Sequence, residues 1–165
     1  RNQELCNNAT PVINSEEGVL YAEISANELA TGRWLSLSNG TTSERLSFGF
    51  QGTNIRLYIR NSSGLIWDGQ INSFNILNYN KIALKYKSGD YALWINGTEV
   101  TTSNATNLPT LSSLQFDSGE GGSNFYGNTK DLKYYPKALA DVQLEALTSF
   151  GSFTEMANAL NYTII

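Results

Sequence analysis

The feature that most constrains this chain is an apolar side chain at every second position, repeated over short stretches with turn residues between them. From Gly18, Leu20, Ala22 and Ile24 alternate with Tyr21 and Glu23; Leu35 and Leu37 alternate with Trp34 and Ser36. Leu46, Phe48 and Phe50 alternate with Arg45, Ser47 and Gly49, and Ile55, Leu57 and Ile59 with Arg56, Tyr58 and Arg60. A side chain that changes face at each residue is the signature of a strand, whereas a helix repeats every 3.6 residues. Between these stretches lie Ser38-Asn39-Gly40-Thr41 and Gln51-Gly52-Thr53-Asn54, short enough to join antiparallel neighbours. The expected fold class is therefore all-β, two antiparallel sheets sharing one core.

The clearest hairpin lies further on. Ile82, Leu84 and Tyr86 share one side of Lys81–Lys87, Ser88-Gly89-Asp90 turns the chain, and Tyr91, Leu93 and Ile95 return it with Trp94 opposite. Asn96-Gly97 then suits a type I′ turn, in which both central residues need positive φ. Further strands are expected near Leu111–Phe116 and Phe125–Tyr134, separated by the glycine-rich Ser118–Ser123. After Pro136 the period changes: Leu139, Val142, Leu144, Ala146 and Leu147 predict one short C-terminal helix over Ala138–Thr148, with Asp141 and Glu145 toward water. No repeat or linker divides the chain, so residues 1–165 read as one domain, with residues 150–165 as a docking or assembly tail.

Composition removes several function classes. A net charge of −4 with scattered Lys and Arg gives no basic patch, so nucleic acid is not an expected partner. No apolar run approaches the length of a bilayer-crossing helix, so membrane insertion is not expected either. Cys6 is the only cysteine and histidine is absent, which rules out an internal disulfide and the usual zinc, Cys/His and Ser/His/Asp sites. The chain starts at Arg1, without Met and without the apolar centre of a signal peptide, which reads as a piece of something longer. Asn-x-Ser/Thr triplets stand at Asn8, Asn39, Asn61, Asn96, Asn104 and Asn161; in so Asn-, Ser- and Thr-rich a chain such triplets arise by chance, and no glycosylation is assigned.

Two stretches carry a family resemblance. The hairpin Lys81–Gly97 resembles that of laminin-G-like jelly rolls of the concanavalin A-like lectin/glucanase superfamily, and Tyr134-Tyr135-Pro136-Lys137-Ala138-Leu139, with Asp141 and Leu144–Leu147, resembles their closing segment. The polar, disulfide-free body is similar to domains appended to bacteriophage tail, fibre and decoration proteins. The resemblance implies a jelly-roll β-sandwich on a virion or extracellular surface. Related glucanases carry Glu-x-Asp-x-x-Glu on one strand; this chain has no such phrase, so no enzyme activity and no catalytic residue is expected. Calcium is the one cofactor the resemblance leaves open. Asp117, Glu120, Asn124 and Asp131 could supply oxygens, but their spacing matches no calcium loop and no metal ligand is assigned.

The remaining candidates are aromatic and arginine side chains that alternation turns away from the core. Trp94 projects opposite Leu93 and Ile95, and Tyr58 lies between Arg56 and Arg60, where an apolar ring and guanidinium donors suit an acidic or hydroxyl-rich glycan. Trp67 and Asp68 are expected together at a strand end, on the rim where loops gather. The competing reading for each aromatic is a ring covered by a loop, the helix or a neighbouring subunit. Two functions follow. In the first, the chain is a carbohydrate-binding adhesion module using Trp94, Tyr58, Arg56, Arg60, Trp67 and Asp68 on a cell-surface polysaccharide. In the second, it is a structural virion domain that assembles with other virion subunits, as a homo-oligomer, through its aromatics and C-terminal segment.

Overall fold

A computed structural model describes residues 12–29, 32–152 and 154. Cys6, the triplets at Asn8 and Asn161, and most of the proposed C-terminal tail lie outside the described residues. The strands are β1 (Glu17–Ala26), β2 (Arg33–Ser38), β3 (Arg45–Gln51), β4 (Asn54–Asn61), β5 (Gly64–Ile71), β6 (Asn80–Lys87), β7 (Tyr91–Ile95), β8 (Thr98–Ser103), β9 (Ser113–Gln115) and β10 (Gly127–Tyr135). One helix, α1 (Asp141–Thr148), follows. Two five-stranded antiparallel sheets result, in the orders β10-β1-β6-β7-β8 and β5-β4-β3-β2-β9. This is the expected jelly-roll sandwich with its short helix.

The period-two residues meet between the sheets. Leu20, Ile24, Leu35, Leu37, Leu46, Phe48, Leu57, Ile82, Leu84 and Leu93 are fully buried in one cluster. Each such side chain contributes about 1.5–3 kcal/mol relative to exposure, so the alternation itself selects this pairing. A one-residue slip would turn a whole strand's apolar set into water. Turn chemistry agrees: Asn96 and Gly97 both hold positive φ, at 51° and 83°. The Asn96 side chain is used on both sides, accepting from Lys81 N–H and donating to Asn80 Oδ1, each at 2.9 Å.

The first sheet is buried on its outer face as well. Val19, Tyr21, Ala83, Ala92 and Trp94 form a second apolar cluster closed by Leu144 of α1. The helix is pinned at both ends. At its start Lys85, only 4% exposed, lies 2.7 Å from Asp90 and 3.1 Å from Asp141. At its end the Thr148 hydroxyl accepts from Gly97 N–H, and Lys81 Nζ donates to Ser149 O.

Three elements differ from the sequence expectation. The strand expected at Leu111–Phe116 is reduced to β9, because Leu111 and Phe116 turn inward to cap the core instead of continuing the ladder. The helix begins three residues later than Ala138: Leu139 packs on the second cluster, and Ala140 becomes the N-cap, its N–H donating to the Gln143 side chain. Trp67 and Asp68 sit in the middle of β5, not at a strand end, because the strand continues through Gln70 and Ile71 paired with Arg56 and Ile55.

Candidate functional site

The outer face of the second sheet collects most of the polar side chains that alternation turned outward. The register sets them in rows. Asp68, Tyr58, Ser47, Ser36 and Gln115 lie side by side across β5, β4, β3, β2 and β9. One row along are Gln70, Arg56, Gly49 and Trp34; on the other side Arg60 is directly opposite Arg45, which is opposite Ser38. The glycine-rich segment after β9 folds across the β2 side of this face. Ser36 Oγ donates to Asp117 O at 2.8 Å, Ser38 Oγ to Gly119 O at 3.2 Å, and Arg45 Nη1 to Ser118 O at 2.7 Å. Gly119 and Gly121 hold φ of 106° and 91°, which other residues adopt only at a cost. The segment therefore forms a wall beside Arg45.

Tyr58 is the centre of the face. The Arg45 guanidinium lies 4.8 Å from the ring centroid and that of Arg56 5.6 Å. The two arginines differ in what else they hold. Arg56 is fully engaged, its Nε and Nη2 donating to both oxygens of Asp68 at 2.9 and 2.7 Å and its Nη1 to Gln51. The Asp68 hydrogen bonds raise its pKa above the usual arginine value. Arg45 and Arg60 have no carboxylate partner among the described residues, and the Nε of each is buried without a hydrogen-bond acceptor. Burial lowers the Arg45 pKa; Tyr58 and the Glu120 carboxylate act against it, and the like charges of Arg60 and Arg56 act with it. Two cations opposed across a ladder repel, and a buried donor without an acceptor costs about 1–3 kcal/mol. An anion on this face would relieve the repulsion.

Of the residues singled out in the sequence, Tyr58, Arg56, Arg60 and Asp68 come together here. Trp94 does not. It projects from the outer face of the other sheet, as alternation requires, but α1 lies over it and leaves the residue 8% exposed, with its indole N–H buried and unpartnered. Trp67 points inward, packing on the main core with its ring edge-on to Tyr91 at 6.1 Å, so it is parted from Asp68 by one flip of the strand. Arg45 was not singled out, although its place in the alternation of β3 already put it on the outer face. The wall has no comparable signal, since nothing in a glycine-rich run says where it will fold.

The candidate calcium oxygens disperse. Asp117 is buried, its carboxylate accepting from Gly119 N–H at 2.6 Å, while Asp131 pairs with Lys133. Among the described residues no three acidic, cysteine or histidine side chains converge. No described helix is long and apolar enough to cross a membrane.

No protein-family model matches the chain, and no curated protein matches it. Solved structures do. The CBM40 domain of Ruminococcus gnavus IT-sialidase, bound to α2,3 sialyllactose, aligns with a TM-score of 0.69 at 17% identity, over 82% of this chain and 84% of that one. The chain shares its jelly-roll fold. Domain 4 of AbnA, an extracellular arabinanase from Geobacillus stearothermophilus in complex with arabinotriose, aligns at 0.67 and 17% identity, over 85% and 70%. The K499G mutant of NanB sialidase from Streptococcus pneumoniae aligns at 0.65 and 14% identity, over 88% of this chain but 27% of that longer one.

Proposed function

We propose that this chain is a non-catalytic carbohydrate-binding module whose ligand is an acidic glycan, seated on the outer face of the second sheet. The observation that carries the reading is the Arg45–Arg60 pair, two cations opposed across β3 and β4 with no carboxylate salt-bridged to either among the described residues. A sugar carboxylate supplies what the pair lacks: charge-assisted hydrogen bonds in the planar geometry that guanidinium favours. The Tyr58 ring does not offer a free face; it lies against the Arg45 and Arg56 guanidiniums, and the Arg56–Asp68 brace helps to fix them on this face. The jelly-roll neighbour bound to sialyllactose, an acidic trisaccharide, supports this reading. Its setting would be a cell or virion exterior, where several copies meet clustered glycans. A single site of millimolar affinity is worth about 4 kcal/mol, and linked copies raise the effective affinity on the order of a hundredfold or more.

Calorimetric titration with 3′-sialyllactose and with lactose tests the proposal. Binding of the first, weakened by added salt, with at least tenfold weaker binding of the second is the expected result. No binding of 3′-sialyllactose, or binding that Arg60→Gln leaves unchanged, would overturn it.

A further inference from the structure

A second feature lies on the flank of the sandwich, where the edge strands β5 and β8 of the two sheets come together. Between them is a cavity of about 340 Å³, lined by Gln70, Ile71, Asn72, Ser73, Phe74, Thr98 and Val100. Its chemistry differs from that of the arginine face in every respect. No charged side chain lines it. The floor is apolar: Ile71, Phe74 and Val100 are the half-buried margin of the main core. The rim is made of amides and hydroxyls. Asn72, Ser73 and Thr98 make no side-chain hydrogen bond among the described residues, which leaves their donors and acceptors to a ligand. Both flanking strands are sheet edges, whose outward N–H and C=O groups are also unpaired by a ladder.

We infer that this seam is a second binding site, separate from the arginine face, for a neutral sugar. A pyranose or furanose ring has the matching surface, with C–H groups on one face and hydroxyls, each donor and acceptor, around the edge. Amides and hydroxyls satisfy such an edge in both senses, whereas an anion would find no cation here and a purely apolar ligand would strand the rim's polar groups. The volume lies at the lower end of the range for small-molecule sites and suits one or two sugar rings. The inference does not depend on the acidic-glycan reading, because neither the Arg45–Arg60 pair nor Tyr58 lines the cavity and the one residue common to both, Gln70, carries neither argument. The two sites are nevertheless adjacent: Gln70 of the cavity is the ladder partner of Arg56. One glycan carrying an acidic and a neutral part could touch both.

Amide NMR of the whole chain, titrated with lactose and with arabinotriose as probes, tests the inference. The expected result is a set of saturable shifts confined to residues 70–74 and 98–100 for at least one probe. Asn72→Ala with Ser73→Ala should weaken that binding at least fivefold while the rest of the spectrum is unchanged, and Arg60→Gln should leave it unaltered. No saturable shift in the seam at sugar concentrations of about ten millimolar, or shifts only around Tyr58, would overturn it. A parallel titration with 3′-sialyllactose, read at Arg45 and Arg60, reports on the arginine face alone, so either reading can fail without the other.

Discussion

Arg45 and Arg60 face each other across two paired strands without a carboxylate between them; Arg45 holds Ser118 O, whereas Arg60 is held where it does little for the fold. Arg60→Gln removes a like-charge repulsion and a buried donor without an acceptor, so it should leave stability unchanged or raise it by up to about 1–3 kcal/mol, as measured by denaturant melts. The same change should weaken acidic-glycan binding about tenfold or more, because a charge-assisted hydrogen bond contributes about 1.5–3 kcal/mol. Trp94 should behave in the opposite way. Trp94→Ala empties a covered site between α1 and the first sheet and should cost about 3–5 kcal/mol of stability, leaving the affinity of the folded protein for glycan intact. Both expectations turn on a limit of reading residues from sequence. Alternation gave the direction of Tyr58, Arg56, Arg60 and Trp94 correctly, but direction does not say what lies on top. Nothing in Trp94's own neighbourhood announces that residues some fifty positions later will cover it.

Among elements, those set by local chemistry were legible and those set by distant packing were not. The β6–β7 hairpin and the Asn96-Gly97 turn follow from period and φ preference alone. The short β9 and the late start of α1 do not, because each boundary is fixed by an apolar residue, Phe116 or Leu139, leaving its element to fill a gap elsewhere. A pair of glycine substitutions isolates the contact between α1 and the sheet. Gly97 and Gly40 hold similar φ, 83° and 92°, so Ala imposes a comparable backbone strain of about 1–2 kcal/mol at either. A Cβ at Gly97 would also meet Ser149 Oγ at 2.9 Å, just beyond α1, whereas at Gly40 it meets nothing within 4 Å. In thermal melts Gly97→Ala should lower Tm more than Gly40→Ala; equal losses would mean that the helix end yields freely.

At the scale of the molecule, the jelly roll was legible because two layers of period-two strands have few other ways to close, whereas the binding surface depends on which outward face stays uncovered. The buried polar groups also set how the fold responds to pH. Burial and the Tyr134 hydroxyl push the Tyr86 phenol well above its ordinary range, and burial pushes Tyr91 up as well. Burial would lower the Lys85 pKa, but hydrogen bonds to Asp90 and Asp141 outweigh it and raise the ammonium's pKa. All three are raised, so their stabilisation is complete below the unfolded values near pH 10 and is lost as pH rises beyond them. Glu44 moves the other way: burial alone would raise it, but the N–H groups of Thr110 and Ser62 outweigh that and lower it. Its contribution is present above the unfolded value near pH 4.3 and is lost as pH falls further. Denaturant melts across pH should show stability declining above about pH 10 and, more weakly, below about pH 4.

If the Arg45–Arg60 pair takes up an acidic sugar, the side-chain Nε–Hε resonances of the two arginines report it directly. On titration with 3′-sialyllactose both should move and saturate together, while lactose leaves them in place. Unmoved arginine signals, with sialyllactose either free or bound elsewhere on the chain, would mean that the arginine pair is not the acidic-sugar site.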